Sequence, residues 1–272
     1  MLTVRLKNWR FKIVRPLWKG AISFGLVNVP VKMYAATEKK NVKFRYLHRD
    51  CNAPVEYKRV CSNCKKEVPY EEIVKGYEYE PGKFVVLEDE DFEALPQEEA
   101  RSINIVEFVN LSEIDPVYYD KTYYLTPQET GEKPYQLLKQ VLKEKGKVAV
   151  CKVVIRSKSN LSCIRIYDEV LTLETMYFPD EVRNPKEELE IEEQPEVMSR
   201  ELEMAGQLVD SLEGEFQPEN YQDEYREHLM DLIKAKIHDE DVTIPERPKD
   251  ERVVNLMEAL EKSVDLVKEK SG

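Results

Sequence analysis

Four side chains near the front of this 272-residue chain have the types and spacing of a metal site. His48 and Cys51 are three positions apart, nine residues follow, and Cys61 and Cys64 are again three apart. Two ligand pairs on the arms of a hairpin can converge on one tetrahedral Zn²⁺. Four ligands with no open position describe a structural site rather than a catalytic one. Two other readings stay open. One is a redox Cys-x-x-Cys pair, although the surrounding pattern is not βαβ. The other is cysteines that merely fill space. Cys151 and Cys163 lie in apolar, strand-like runs and read as small core residues. The odd total of five cysteines argues against a disulfide framework.

The candidate knuckle is surrounded by cations: Lys39, Lys40, Lys43, Arg45, Arg49, Lys58, Arg59, Lys65 and Lys66. Residues 1–66 hold 16 Lys and Arg against three acidic residues, Glu38, Asp50 and Glu56. The whole chain nevertheless carries a formal charge of −12, so a basic front is joined to a strongly acidic back. Such asymmetry points to a polyanion as the partner of the front. Aromatic residues among these cations are few (Phe44, Tyr46, Tyr57), which favours phosphate contact on a duplex over base stacking on single strands. A second basic run spans 147–167, with Lys147, Lys152, Arg156, Lys158 and Arg165 and no acidic residue. Strand alternation puts 152, 154, 156 and 158 on one face, with Val153 and Ile155 on the other. That face is either a phosphate-lined groove or a solvated barrel wall. The residues assigned to DNA are Lys43, Arg45, Lys58, Arg59, Lys152, Arg156, Lys158 and Arg165.

Motifs for catalysis are missing. The sequence has no G-x-x-x-x-G-K-[ST], no strand-following G-x-G-x-x-G and no G-x-S-x-G. A zinc deaminase needs His-x-Glu and Pro-Cys-x-x-Cys. Here Arg49 and Asp50 follow His48, and Val60 precedes Cys61. His228 and His238 read as surface or packing residues. No apolar run reaches the roughly 18–20 residues that span a bilayer. No secretory h-region follows the N-terminus, so a cytoplasmic protein is expected.

The elements that must carry these residues are mainly strands. Runs rich in Val, Ile, Tyr and Phe cover 26–34, 43–47, 55–60, 84–87, 103–108, 123–125, 148–155, 161–167 and 170–177, a spacing that suggests a barrel or sandwich. Helices are expected near 89–95 and over 133–145, the latter with Tyr135, Leu138, Val141 and Leu142 on one face and Gly146 as its stop. Pro- and Glu-rich residues 184–196 read as a linker. Two amphipathic helices follow, one on Leu202, Ala205, Leu208, Val209 and Leu212. The other is on Tyr221, Tyr225, Leu229, Leu232, Ile233 and Ile237. A stiffer linker at 243–248 precedes a last helical stripe of Val253, Leu256, Met257, Leu260, Val264 and Val267. Residues 1–14 carry no cap or repeat signal. They are read as an extension, with Val14 as the expected natural start.

Residues 15–34, RPLWKGAISFGLVNVPVKMY, resemble the opening of the prokaryotic Ku proteins. The resemblance continues through Val60-Cys-Ser-Asn-Cys64, 72–79 (EIVKGYEY), 107–109 (EFV), Asp115-Pro116, Tyr123-Tyr124-Leu125, Ile155-Arg-Ser-Lys158 and 178–183 (FPDEVR). It extends to 201–206 (ELEMAG) and Tyr221-x-x-x-Tyr225, so it covers nearly all of 15–240.

This resemblance implies a mainly β fold with appended helices: a Ku-type β-barrel over 15–195 with a protruding bridge near 38–75, a helical part over 196–243, and a linker and helix over 244–272. It also implies a ring-shaped homodimer that binds linear double-stranded DNA ends without reading sequence, in non-homologous end joining. Such a protein recruits and stimulates the ATP-dependent DNA ligase D, and is expected in the bacterial cytoplasm at the nucleoid. The ligase contact would fall on Val253, Leu256, Met257, Leu260 and Val264. That stripe can instead pack on the chain's own core or on a dimer mate. One departure stands out. The chain stops at Lys270-Ser-Gly272 with Glu261, Asp265 and Glu269 among its lysines, whereas many family members end in a lysine-rich tail. Two rivals remain from other classes: a zinc-ribbon regulator or adaptor, and a zinc-dependent nucleic-acid enzyme.

Overall fold

A computed structural model describes residues 15–94, 101–155, 158–189, 196–238 and 256–271. They fall into two compact units, one holding 44–188 with the N-terminal part up to Lys40, the other holding 189–272 with 41–43.

The first unit is built on a closed seven-stranded barrel, in the order β1-β2-β6-β9-β8-β7-β5. Its strands are β1 (Trp18–Phe24), β2 (Val27–Ala35), β5 (Ser102–Val109), β6 (Tyr119–Pro127), β7 (Val148–Ile155), β8 (Lys158–Tyr167) and β9 (Val170–Met176). Neighbours are antiparallel except where β1 meets β5, and that parallel pairing closes the barrel. Closure leaves this sheet without an edge. Alternation decides what faces inward. Cys151 and Val153 of β7, Ile164 of β8 and Leu171 and Leu173 of β9 are all fully buried. Gly20 sits where β1 passes close to β5, and a Cβ there would collide with the Arg101 carbonyl and the Trp18 ring.

Helix α2 (Glu132–Lys145) adds Tyr135, Leu138 and Leu142 to this core, while Val141 of the expected stripe faces solvent. The buried Tyr135 hydroxyl donates to the Leu125 carbonyl at 2.9 Å and accepts from the Leu171 amide at 2.8 Å, so it brings no unmet polar group into the core. Gly146 ends the helix in the left-handed conformation, φ 62°, as the sequence predicts. The β8–β9 turn also bends left-handed at two non-glycine residues, Asp168 and Glu169. Two lysines of α2 hold it: Lys139 donates to the Glu169 carbonyl and carboxylate, and Lys143 to the same carboxylate.

Two hairpin-like segments leave the barrel. One is the bridge segment, described below. The other pairs β3 (Lys75–Glu80) with β4 (Lys83–Leu87) as a separate two-stranded sheet that leads into α1 (Asp89–Glu93). The second unit is helical. A short α3 (Pro185–Glu188) ends the first unit, and α4 (Ser199–Leu212), α5 (Glu224–Ile237) and α6 (Leu256–Ser271) make up the second. Helix α6 packs on α4, with Val264 only 6% exposed and an Arg200–Glu261 ion pair at 3.6 Å. Among the described residues, no helix is long and apolar enough to cross a membrane.

Candidate nucleic-acid interface

The sequence predicts strands over 43–47 and 55–60, and the structure corrects this. Each run contributes a single bridge pair, Leu47 with Pro54 and Val60 with Glu67. Two tight turns take up the residues between. In the first, the Asn52 amide donates to the His48 carbonyl and the His48 amide to that of Ala53. In the second, the Lys65 amide donates to the Cys61 carbonyl and the Cys61 amide to that of Lys66. Both turns need a left-handed residue just after the second ligand, Asn52 at φ 54° and Lys65 at φ 59°. Asparagine tolerates that conformation well, and lysine less so. The bridge is thus two knuckles of the same backbone design.

Each knuckle brings its own ligand pair together. His48 Nδ1 lies 3.2 Å from Cys51 Sγ. The backbone amides of Cys64 and Asn63, with the Cys64 side chain, hold the Cys61 thiol below its ordinary pKa. This suits a thiolate ligand. The two pairs are not joined: among the described residues, no three His, Cys, Asp or Glu side chains are grouped as a metal would require. Cys151 and Cys163 are buried as the sequence predicts. Desolvation raises the Cys151 thiol and pushes that of Cys163 up to about 12, which makes both inert.

The predicted DNA-contacting cations divide into three groups. Arg45, Arg59 and Lys43 are solvent-exposed, and among the described residues none has a carboxylate within ion-pair distance. Arg59 lies 5.3 Å from the centre of the Tyr70 ring. Lys152 on β7 is exposed in the same way. Lys58 and Lys158 are exposed but paired, with Glu67 at 2.8 Å and Glu181 at 3.4 Å. Such surface pairs contribute about 0–1 kcal/mol and exchange readily for another anion. Arg165 differs: its Nε donates to Glu174, which is only 6% exposed, so its charge is already matched in the barrel wall. Arg156 lies outside the described residues.

Lys152 and Lys158 do not share one cationic face. Ile155 and Lys158 are paired across antiparallel β7 and β8. Paired residues share a face, so Lys158 starts on the side of Ile155, and Lys152 lies on the opposite side with Leu161. Of the proposed ligase-contact stripe, Val264 is buried, Met257 and Leu260 are half-buried and Leu256 is exposed. Val253 lies outside the described residues. Sequence reading missed the buried Glu174 that claims Arg165, because only the β8–β9 register brings them together.

Comparison with known proteins now bears on this geometry. Residues 23–204 match the family model described as the Ku70/Ku80 beta-barrel domain. This chain belongs to the Ku family. A relative from Symbiobacterium thermophilum, named non-homologous end joining protein Ku, is 50% identical over 92% of this chain, which spans 63% of that relative's length. Relatives of the same name from Bacillus subtilis and Desulfitobacterium hafniense are 44% and 45% identical over 92% and 93% of this chain. It covers 81% and 88% of theirs. The barrel expected from the family resemblance is therefore the barrel observed. The match also runs through the bridge and the start of α4.

Proposed function

We propose that this chain holds linear double-stranded DNA by its ends in non-homologous end joining, as a non-catalytic clamp formed by two copies closing into a ring. The observation that carries the proposal is the bridge: exposed cations, among them Arg45 and Arg59, have no carboxylate within ion-pair distance among the described residues and stand on an arm attached to a Ku-family barrel. Contacts from such groups go to phosphates, which fix position on a duplex and carry no sequence information. A closed ring cannot pass onto a circle without opening, so the topology of the DNA decides its occupancy. The phosphate-contacting groups in this reading are Lys43, Arg45, Lys58, Arg59, Lys152, Arg156 and Lys158. The charge of Arg165 is met by Glu174 in the barrel wall, so it is not among them.

The test is a gel shift on linear against relaxed, closed-circular duplex of the same sequence. Strong retention of the linear form alone is expected. Equal affinity for both would remove the ring and favour the zinc-ribbon adaptor reading.

A structural Zn²⁺ at His48, Cys51, Cys61 and Cys64 belongs to the same proposal. The donor chemistry and the two pre-closed turns favour it. The separation of the pairs means the metal would have to draw one knuckle toward the other. One zinc per chain by elemental analysis of freshly purified protein is the expected result.

Recruitment of the ATP-dependent DNA ligase D is placed on α6. Because Val264 is packed against α4, the contact would use the half of the stripe that remains accessible, around Leu256 and Leu260. Deleting 249–272 should spare DNA binding and abolish ligase stimulation.

A further inference from the structure

The bridge holds a second chemistry that phosphate contact does not use. Phe44, Tyr46 and Tyr57 are 68%, 75% and 81% exposed, with their rings in water rather than in a core. They contribute little to the fold of the arm, which is held by backbone hydrogen bonds; the Val55 amide donates to the Tyr46 carbonyl at 3.0 Å. Each ring is next in sequence to a cation: Phe44 and Tyr46 flank Arg45, and Tyr57 precedes Lys58 and Arg59. Acidic residues nearby are few: Glu67, which is paired with Lys58, together with Asp50 and Glu56.

Exposed rings alternating with cations form the recognition surface for unpaired nucleotides. Every base has a π-face to stack on a ring, and the backbone follows the charge. In an intact duplex those faces are already covered by neighbouring base pairs, so a clamp working through phosphates gains nothing from the rings. The second hairpin provides an internal contrast. Its Tyr77, Tyr79 and Phe84 are also exposed, but the lysines beside them are already paired, Lys75 with Asp89 and Lys83 with Glu80.

We propose that Phe44, Tyr46 and Tyr57, with Arg45 and Arg59, form a binding site for the unpaired nucleotides of a DNA overhang. The inference rests on the end-binding reading and makes it more specific: the arm whose cations contact the duplex phosphates also engages the unpaired nucleotides of the terminus.

The experiment uses the full chain and three fluorescent probes: a blunt duplex, the same duplex with a five-nucleotide overhang carrying 2-aminopurine, and the overhang strand alone. The wild type is expected to bind the overhang duplex roughly ten-fold more tightly than the blunt one and to quench the 2-aminopurine by stacking. The double variant Tyr46→Ala/Tyr57→Ala should lose that advantage and the quenching while its blunt-end affinity stays unchanged. Tyr46→Phe/Tyr57→Phe, which keeps the rings, should retain both. Equal wild-type affinity for blunt and overhang ends, an unquenched probe, or equal losses on both duplexes in the alanine variant would overturn the proposal. So would a change in its sedimentation, which would assign the rings to contact between copies. If the blunt duplex is not bound at all, end binding fails on its own. Quenching on the single strand then decides the aromatic site separately.

Discussion

The barrel and the bridge are parts of one unit built on opposite rules. In the barrel, alternate residues are sealed from water, Tyr135 meets both its hydrogen-bond partners inside the core, and Arg165 in the wall is matched by Glu174. In the bridge, nearly every side chain is exposed, and the backbone is fixed by two left-handed turns rather than by a core. The barrel's Tyr135, Arg165 and Glu174 are spent on its own stability, whereas the bridge's cations and rings, with the exposed Lys152 and Lys158 of β7 and β8, are left for a ligand. Stability and binding should therefore separate cleanly by position.

The largest effect on stability should come from the barrel interior. Leu173→Ala removes a fully buried side chain and is expected to cost about 2–5 kcal/mol, read as a lower midpoint in urea. The wall pair comes next. Glu174→Ala leaves Arg165 without its carboxylate in a half-buried setting, which should cost about 3 kcal/mol, whereas replacing both residues with apolar ones should cost much less. Unchanged unfolding in the single variant would return Arg165 to the pool of free cations.

The third prediction is the converse. Arg59→Ala should leave the unfolding midpoint within error and weaken duplex binding about equally on all sequences. A sequence-dependent loss would contradict phosphate contact. The smallest effect concerns acid. Glu169 is held at about 2, below the ordinary 4.5, by hydrogen bonds first from Lys139 and then from Lys143. A carboxylate depressed in the folded state contributes stability that is complete above its unfolded pKa and disappears as pH falls toward the folded value. The stability difference between wild type and Glu169→Gln should therefore be constant near neutrality and shrink between about pH 4.5 and 2. A difference independent of pH would assign the effect to turn geometry instead.

Much of the barrel can be read from the residues. Val148–Ile155 and Val170–Met176 were marked by their β-branched runs, and α2 by its stripe and terminal Gly146. β1 is absent from the expected strand runs, because Lys19, Gly20 and Ser23 interrupt its pattern and its glycine serves a close contact rather than a turn. β3 was missed because neither of its faces is buried, so no apolar alternation marks it. The errors at the site have one source. Alternation gives the faces of a straight strand but not where the strand reverses, so Lys158 was placed beside Lys152. Pairings such as Arg165 with Glu174 depend on register between strands. The exposure of Phe44, Tyr46 and Tyr57 could not be read from composition, since a strand would have buried one side of them.

The claim that the bridge binds while the barrel folds is tested most directly by the salt dependence of linear-duplex binding. The comparison is wild type against Arg45→Ala/Arg59→Ala, with folding checked on the same samples. Neutralising two phosphate contacts should reduce the log–log slope by about 0.9 for each, with the unfolding midpoint unchanged. A variant that folds normally and keeps the wild-type slope would show that the duplex is held elsewhere.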